Sequence, residues 1–143
     1  MLVNPVSGSG SAVNILNKEI LQILKDSQCE VKTVITERAN HAKELVHQLD
    51  PSTIDMILSV GGDGLFYEII QGIMTREDKN VFLGSVTVVP IPGGTGNGLA
   101  KSILYESHED YSATNMCFLA LKGQPRAIDL SLVCISQLTI ITP

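Results

Sequence analysis

The sequence predicts a single doubly wound α/β domain, with a mostly parallel sheet and helices on both faces. Short apolar runs rich in Val and Ile alternate with segments of helical period, the order that gives parallel strands. Three of those runs end in glycine clusters, as buried strands do when they turn into helices. The chain has 143 residues, 44% apolar and 17% charged, enough for one core and too apolar for disorder, with no room for a second full domain.

Met1–Val3 reads as the first strand, running into Asn4-Pro5-Val6-Ser7-Gly8-Ser9-Gly10. A helix over Val13–Lys25 places Val13, Leu16, Ile20, Ile23 and Leu24 on one face. Val31–Thr36 alternates as a second strand. Asn40 is a good N-cap for the next helix, which carries Ala42, Leu45, Val46 and Leu49. Ile54–Val60 is a third strand and ends at Gly61-Gly62-Asp63-Gly64. The helix Leu65–Met74 follows, with Phe66, Ile69, Ile70 and Ile73 inward. Val86–Ile91 is the fourth strand and ends at Pro92-Gly93-Gly94-Thr95-Gly96-Asn97-Gly98. Helices over Leu99–Leu104 and Ala113–Leu121 close the pattern. Internal repeats, low-complexity segments and linkers are absent.

Composition narrows the function. Fifteen acidic residues against 10 basic give a net charge of −5, which opposes a nucleic-acid groove. The sequence has neither an apolar run of transmembrane length, ~18 residues, nor the pattern of a signal peptide. Cys29, Cys117 and Cys134 show no CxxC spacing and read as reduced core thiols of a cytoplasmic protein. His41, His47 and His108 lack metal-ligand spacing, and no metal-binding residue is assigned. Arg38 and Lys43 read as solvated side chains.

In a doubly wound sheet, ligands bind beyond the carboxyl ends of the strands, where all three glycine clusters lie. Glycine lets backbone amides approach a ligand, and amides at a helix start bind anions. The three loops together predict a phosphate-binding cleft. Neither GxxxxGK[ST] nor GxGxxG is present, which excludes the common P-loop and dinucleotide fingerprints. Asp63, between two glycines at a strand end, is either a base for phosphoryl transfer, a Mg²⁺ contact or a helix N-cap. Glu68 lies about one and a half helical turns on and either reaches the cleft or is solvated. Thr36, Thr95 and Asn97 are placed to hydrogen-bond phosphate or ribose, with Ser7 and Ser9 as weaker candidates.

These loops together resemble the catalytic domain of the diacylglycerol kinase superfamily, which includes sphingosine and ceramide kinases and is distantly similar to NAD kinases. The likeness runs to about Leu132. Within the group, Thr36-Glu37-Arg38-Ala39-Asn40-His41-Ala42-Lys43-Glu44-Leu45 resembles the TERxNHAxEL stretch of sphingosine kinases. Gly64-Leu65-Phe66-Tyr67-Glu68-Ile69-Ile70-Gln71-Gly72 resembles their GLxxEVxNG helix. The resemblance implies ATP-dependent, Mg²⁺-assisted phosphorylation of a sphingoid-base hydroxyl at a membrane surface by a cytoplasmic, peripherally associating enzyme. It implies Asp63 as general base and Asn4, Thr36, Gly64 and Glu68 as ATP contacts. Gly93, Gly94, Thr95, Gly96 and Asn97 would cradle phosphate, with Pro5, Ser7, Gly8, Gly61 and Gly62 in the same nucleotide site.

Two departures shape the expectation. Val6 stands where sphingosine kinases usually have a basic residue, so one phosphate contact is absent. The expected division is a catalytic domain over 1–133 and a divergent tail over 134–143, without the β domain that holds lipid in the family. The tail predicts an exposed apolar edge near Leu130–Ile141. The alternatives are a non-catalytic truncated nucleotide-binding fragment, a ceramide or diacylglycerol kinase, and an NAD kinase.

Overall fold

A computed structural model describes residues 1–131. Its elements are β1 (Leu2–Val3), β2 (Val34–Ile35), β3 (Met56–Gly61) and β4 (Thr87–Pro92). The helices are α1 (Ser11–Ile15), α2 (Leu21–Asp26), α3 (His41–Gln48), α4 (Asp63–Met74), α5 (Lys79–Ser85), α6 (Gly98–Glu106) and α7 (Ala113–Lys122). A π-helical segment, Leu16–Ile20, joins α1 to α2 in one run. Short 3₁₀ turns cover Ser7–Gly10 and Pro51–Thr53.

All strand pairs are parallel, in the order β2-β1-β3-β4. Leu2 faces both Val34 and Ser59, and Met56 faces Thr87. The chain winds outward from β1 to β2, then returns to place β3 on the other side of β1. The strand order therefore reverses between β1 and β3, the point at which doubly wound sheets hold ligands.

Alternation along the strands divides the core in two. Val3, Leu58, Val60, Val89 and Ile91 pack with Leu16, Ile20, Leu24, Leu104 and Met116 on one face. Leu2 and Ile57 pack with Val46, Leu65, Ile69, Ile73 and Phe82 on the other. Helices thus cover both faces, and the predicted fold class is the observed one. α4 and α3 come close because Gly72 has no side chain: a methyl group there would stand 2.6 Å from the Lys43 carbonyl oxygen.

Several element expectations need correction. β2 is Val34–Ile35 alone, because among the described residues its one partner, β1, is two residues long. Leu65, not Phe66, turns into the core from α4. On the first helical run Ala12, Leu16, Ile20 and Leu24 are buried, whereas Val13 and Ile23 are only partly so. Asn40 stands at the N-cap of α3 but makes no side-chain cap; its φ of +62° shows that it is there for the left-handed turn. α5 escaped the sequence reading because only Phe82 of its seven residues is buried. Cys117 is buried as expected, Cys29 is exposed, and Cys134 lies outside the described residues.

Within β4, the Thr87 amide donates to the Asp55 carbonyl and the Gly93 amide, just past the strand, donates to that of Gly61, at 3.0 and 2.8 Å. Parallel pairing alternates, so Val88, Pro90 and Pro92 direct their backbone groups away from β3. Two of those three residues have no N–H.

Candidate functional site

The loops after β1, β3 and β4 meet at the carboxyl end of the sheet, backbone against backbone. The Asn4 side chain accepts from the Val6 amide at 3.1 Å, shaping the first loop as an Asx turn. Gly8, at φ +57°, sits so close to the third loop that a methyl group there would lie 2.8 Å from the Gly93 oxygen. Ser11 Oγ donates to that same oxygen at 3.3 Å. A methyl group on Gly94 would stand 2.7 Å from the Gly62 Cα. Several of the glycines thus serve the packing of one loop on another, a role distinct from ligand contact. Gly64 differs: nothing lies within 4 Å of where its Cβ would stand.

Asp63 is the first residue of α4, and its carboxylate reaches across to the third loop. Its amide donates to the Gly96 carbonyl at 2.9 Å, and its Oδ2 accepts from the Gly98 amide at 2.9 Å. Gly98 opens α6, whose own N-cap Asn97 makes no side-chain cap. Asp63 therefore caps α6 rather than the helix that carries it, and the two loops are clasped reciprocally. It is exposed at the mouth of the cleft. Among the described residues, no protein donor reaches its Oδ1.

Asn97 turns inward on its own loop, donating from Nδ2 to the Gly94 carbonyl and accepting the Gly94 amide on Oδ1. These bonds satisfy the peptide groups of the tight loop. Thr95 is exposed, and Ser7 is partly buried, beside Gly61.

Beside these loops, a cavity of about 280 Å³ is lined by Asn4, Pro5 and Val6, by Thr36–Ala39, and by Leu65 and Glu68. It joins Asn4, Pro5, Thr36 and Glu68, expected from the sequence to share a site. Thr36 is buried, and its hydroxyl donates to the Val3 carbonyl at 3.3 Å. Glu37, Arg38 and Ala39 were not expected there; their position at the end of β2 is the signal that would have found them. Arg38 is exposed, as expected, and also forms a bidentate pair with Glu44 at 2.6–2.7 Å. That hydrogen bond raises the Arg38 pKa and lowers that of Glu44.

Among the described residues, no three His, Cys, Asp or Glu side chains cluster as a metal site. Mg²⁺ needs no such cluster when one or two carboxylates share it with phosphate oxygens. The exposed Asp63, with Oδ1 unengaged by protein, suits that mode.

A parallel sheet with three glycine loops clasped at its switch point defines a doubly wound domain built around a loop-lined cleft. Residues 1–133 match the diacylglycerol kinase catalytic domain, and the chain belongs to that family. It is 31% identical to sphingosine kinase 1 of Arabidopsis thaliana over 93% of this chain and 27% of the relative. It is 35% identical to sphingoid long chain base kinase 4 of Schizosaccharomyces pombe, over 91% of this chain and 27% of the relative. The chain thus spans about a quarter of the length of these relatives. A crystal structure from Bacillus anthracis, assigned provisionally as a diacylglycerol kinase, superposes with a TM-score of 0.67 at 24% identity. That superposition covers 86% of this chain and 38% of the other, and shows the fold. No helix among the described residues is long and apolar enough to cross a membrane.

Proposed function

We propose that this chain is the nucleotide-binding catalytic domain of an ATP-dependent lipid kinase that phosphorylates a sphingoid-base hydroxyl. The observation that carries the reading is the Asp63 carboxylate, clasped between two glycine loops at the switch point with one oxygen left for a substrate. Sphingosine and sphingoid-base kinases among the relatives support the choice of lipid class.

Charge orients the nucleotide. Glu37 and Glu68 line the side cavity, and the one cation among its lining residues, Arg38, is paired with Glu44. A polyphosphate is repelled there, whereas ribose hydroxyls and the adenine amine find acceptors. The triphosphate is then placed along the Gly8, Gly62–Gly64 and Gly93–Gly96 loops, where the N-terminus of α4 favours anions. The open space at Gly64 leaves room for a phosphate to approach the backbone.

In the reaction, Asp63 accepts the lipid hydroxyl proton as the oxygen forms its bond to the γ-phosphorus. The bond from that phosphorus to the bridging oxygen breaks, and ADP departs with the electron pair. Mg²⁺, when bound, would neutralise charge on the phosphates and be held through their oxygens, since Asp63 Oδ1 is committed to the proton. We propose residues 1–133 as the catalytic domain, with lipid held by a β domain beyond this chain.

The test joins this domain to the remainder of the Arabidopsis relative and follows phosphate transfer from ATP to sphingosine. Turnover that falls about 10²–10⁴-fold in Asp63→Asn supports the reading. Undiminished turnover in the mutant sinks the assigned base, and transfer to NAD without transfer to lipid favours an NAD kinase.

A further inference from the structure

The β2–α3 turn forms one wall of the side cavity through Glu37, Arg38 and Ala39. Its polar groups are spent largely on one another. The Glu37 amide donates to His41 Nδ1 at 3.1 Å. Arg38 donates from Nη1 and Nη2 to the two oxygens of Glu44 at 2.7 and 2.6 Å. The Arg38 carbonyl accepts from the His41 amide at 3.3 Å, and Asn40 turns the chain in the left-handed region. Upstream, the Thr36 amide and hydroxyl both donate to the Val3 carbonyl, at 2.8 and 3.3 Å.

Fold stability does not account for this bracing. Glu37, Arg38, Ala39 and Asn40 are exposed, and the side chains of Arg38 and Glu44 are 59% and 48% accessible. Exposed ion pairs contribute little to folding. What the bonds do fix is the position of a backbone segment that lines the cleft. A wall ordered before the ligand arrives spares the ligand the entropy of ordering it.

We propose that His41 is a positioning residue for the nucleotide cleft, acting through the Glu37 backbone, with the Arg38–Glu44 pair as its second brace. The role rests on the nucleotide reading given above. Because Nδ1 accepts from Glu37, the imidazole proton sits on Nε2. His41 touches no substrate in this arrangement; it holds the residues that do.

The experiment uses the full chain labelled with ¹⁵N. Imidazole nitrogen shifts assign the His41 tautomer, and a scalar coupling across the hydrogen bond links the Glu37 amide to Nδ1. ATP–Mg²⁺ affinity is then measured by calorimetry for the wild type, H41Q, H41N and E44Q. Glutamine lacks an acceptor where Nδ1 stood, whereas asparagine supplies Oδ1 there. H41Q is expected to weaken ATP binding about 3- to 10-fold with an unchanged melting temperature. H41N is expected to recover most of that loss, and E44Q to weaken binding by a similar factor.

A His41 proton found on Nδ1, or no coupling to Glu37, overturns the brace. ATP binding by the wild type, with H41Q binding equally well, overturns the positioning role alone. No ATP binding by the wild type brings down the nucleotide reading, and the positioning role with it.

Discussion

At the scale of single residues, Asp63 has two duties that substitution can separate. Its Oδ2 accepts from the Gly98 amide, a bond that the amide oxygen of asparagine can also accept. Asp63→Asn is therefore expected to keep the melting temperature while losing lipid phosphorylation. Asp63→Ala removes the cap on α6 as well and is expected to cost about 1 kcal/mol, measured by urea unfolding. The glycines separate in the same way. Gly94→Ala drives a methyl group onto the Gly62 backbone and should cost about 1–3 kcal/mol. Gly64→Ala meets nothing and should unfold at the same or higher denaturant while binding ATP less tightly. The sequence made all these glycines look alike, because composition cannot distinguish a backbone that touches a ligand from one that touches another loop. Cys117 shows a similar limit: burial, with the nearby Cys29 adding to it, pushes its thiol up to about 11. A native alkylation assay on these two thiols should therefore modify Cys29 and spare Cys117.

At the scale of elements, α4, α3 and α5 are joined by Arg76. Its Nη1 donates to the Val46 and His47 carbonyls at 2.7 and 2.8 Å, capping the end of α3. Its Nε and Nη2 donate to Asp78, and its guanidinium lies 4.7 Å from the centre of the Phe82 ring. Arg76→Ala is expected to lower unfolding free energy by about 2 kcal/mol, since the carbonyls at the end of α3 lose their donor. The Arg76 hydrogen bonds hold the Asp78 carboxyl below its usual value. A depressed carboxylate stabilises the fold above its unfolded pKa, about 4, and loses that effect as pH falls through the lower folded value. Stability should thus stay level from neutral to about pH 5 and drop below that range, with Asp78→Asn removing part of the drop. None of this network was legible beforehand. Periodicity finds helices that bury a stripe, and α5 buries one residue; Arg76 reads as solvated unless the fold is known.

At the scale of the whole molecule, the architecture was legible because parallel strands carry two independent signals, apolar runs and the glycines that end them. The meeting of three loops followed from the rule for strand ends. The Thr36–Leu45 stretch was visible as a motif, but its internal bonding was not, because turn conformation depends on φ at Asn40 and on which imidazole nitrogen faces inward. The apolar edge expected near Leu130–Ile141 lies almost wholly outside the described residues. On the function proposed above, we expect nucleotide binding from these 143 residues and lipid turnover once they are joined to the remainder of a relative, of which this chain spans about a quarter. Calorimetry on one and a phosphate-transfer assay on the other check the two halves of that statement.

The margin of β4 that faces away from β3, unpaired among the described residues, bears on how such a domain lives beside others. Val88, Pro90 and Pro92 offer three carbonyl oxygens there but only one amide hydrogen. A strand arriving from another copy would leave two of its own acceptors unanswered, so templated growth of the sheet stalls at this margin. A neighbour meeting the domain on this side gains at most one backbone donor from these three residues, so its hold must come largely from side chains.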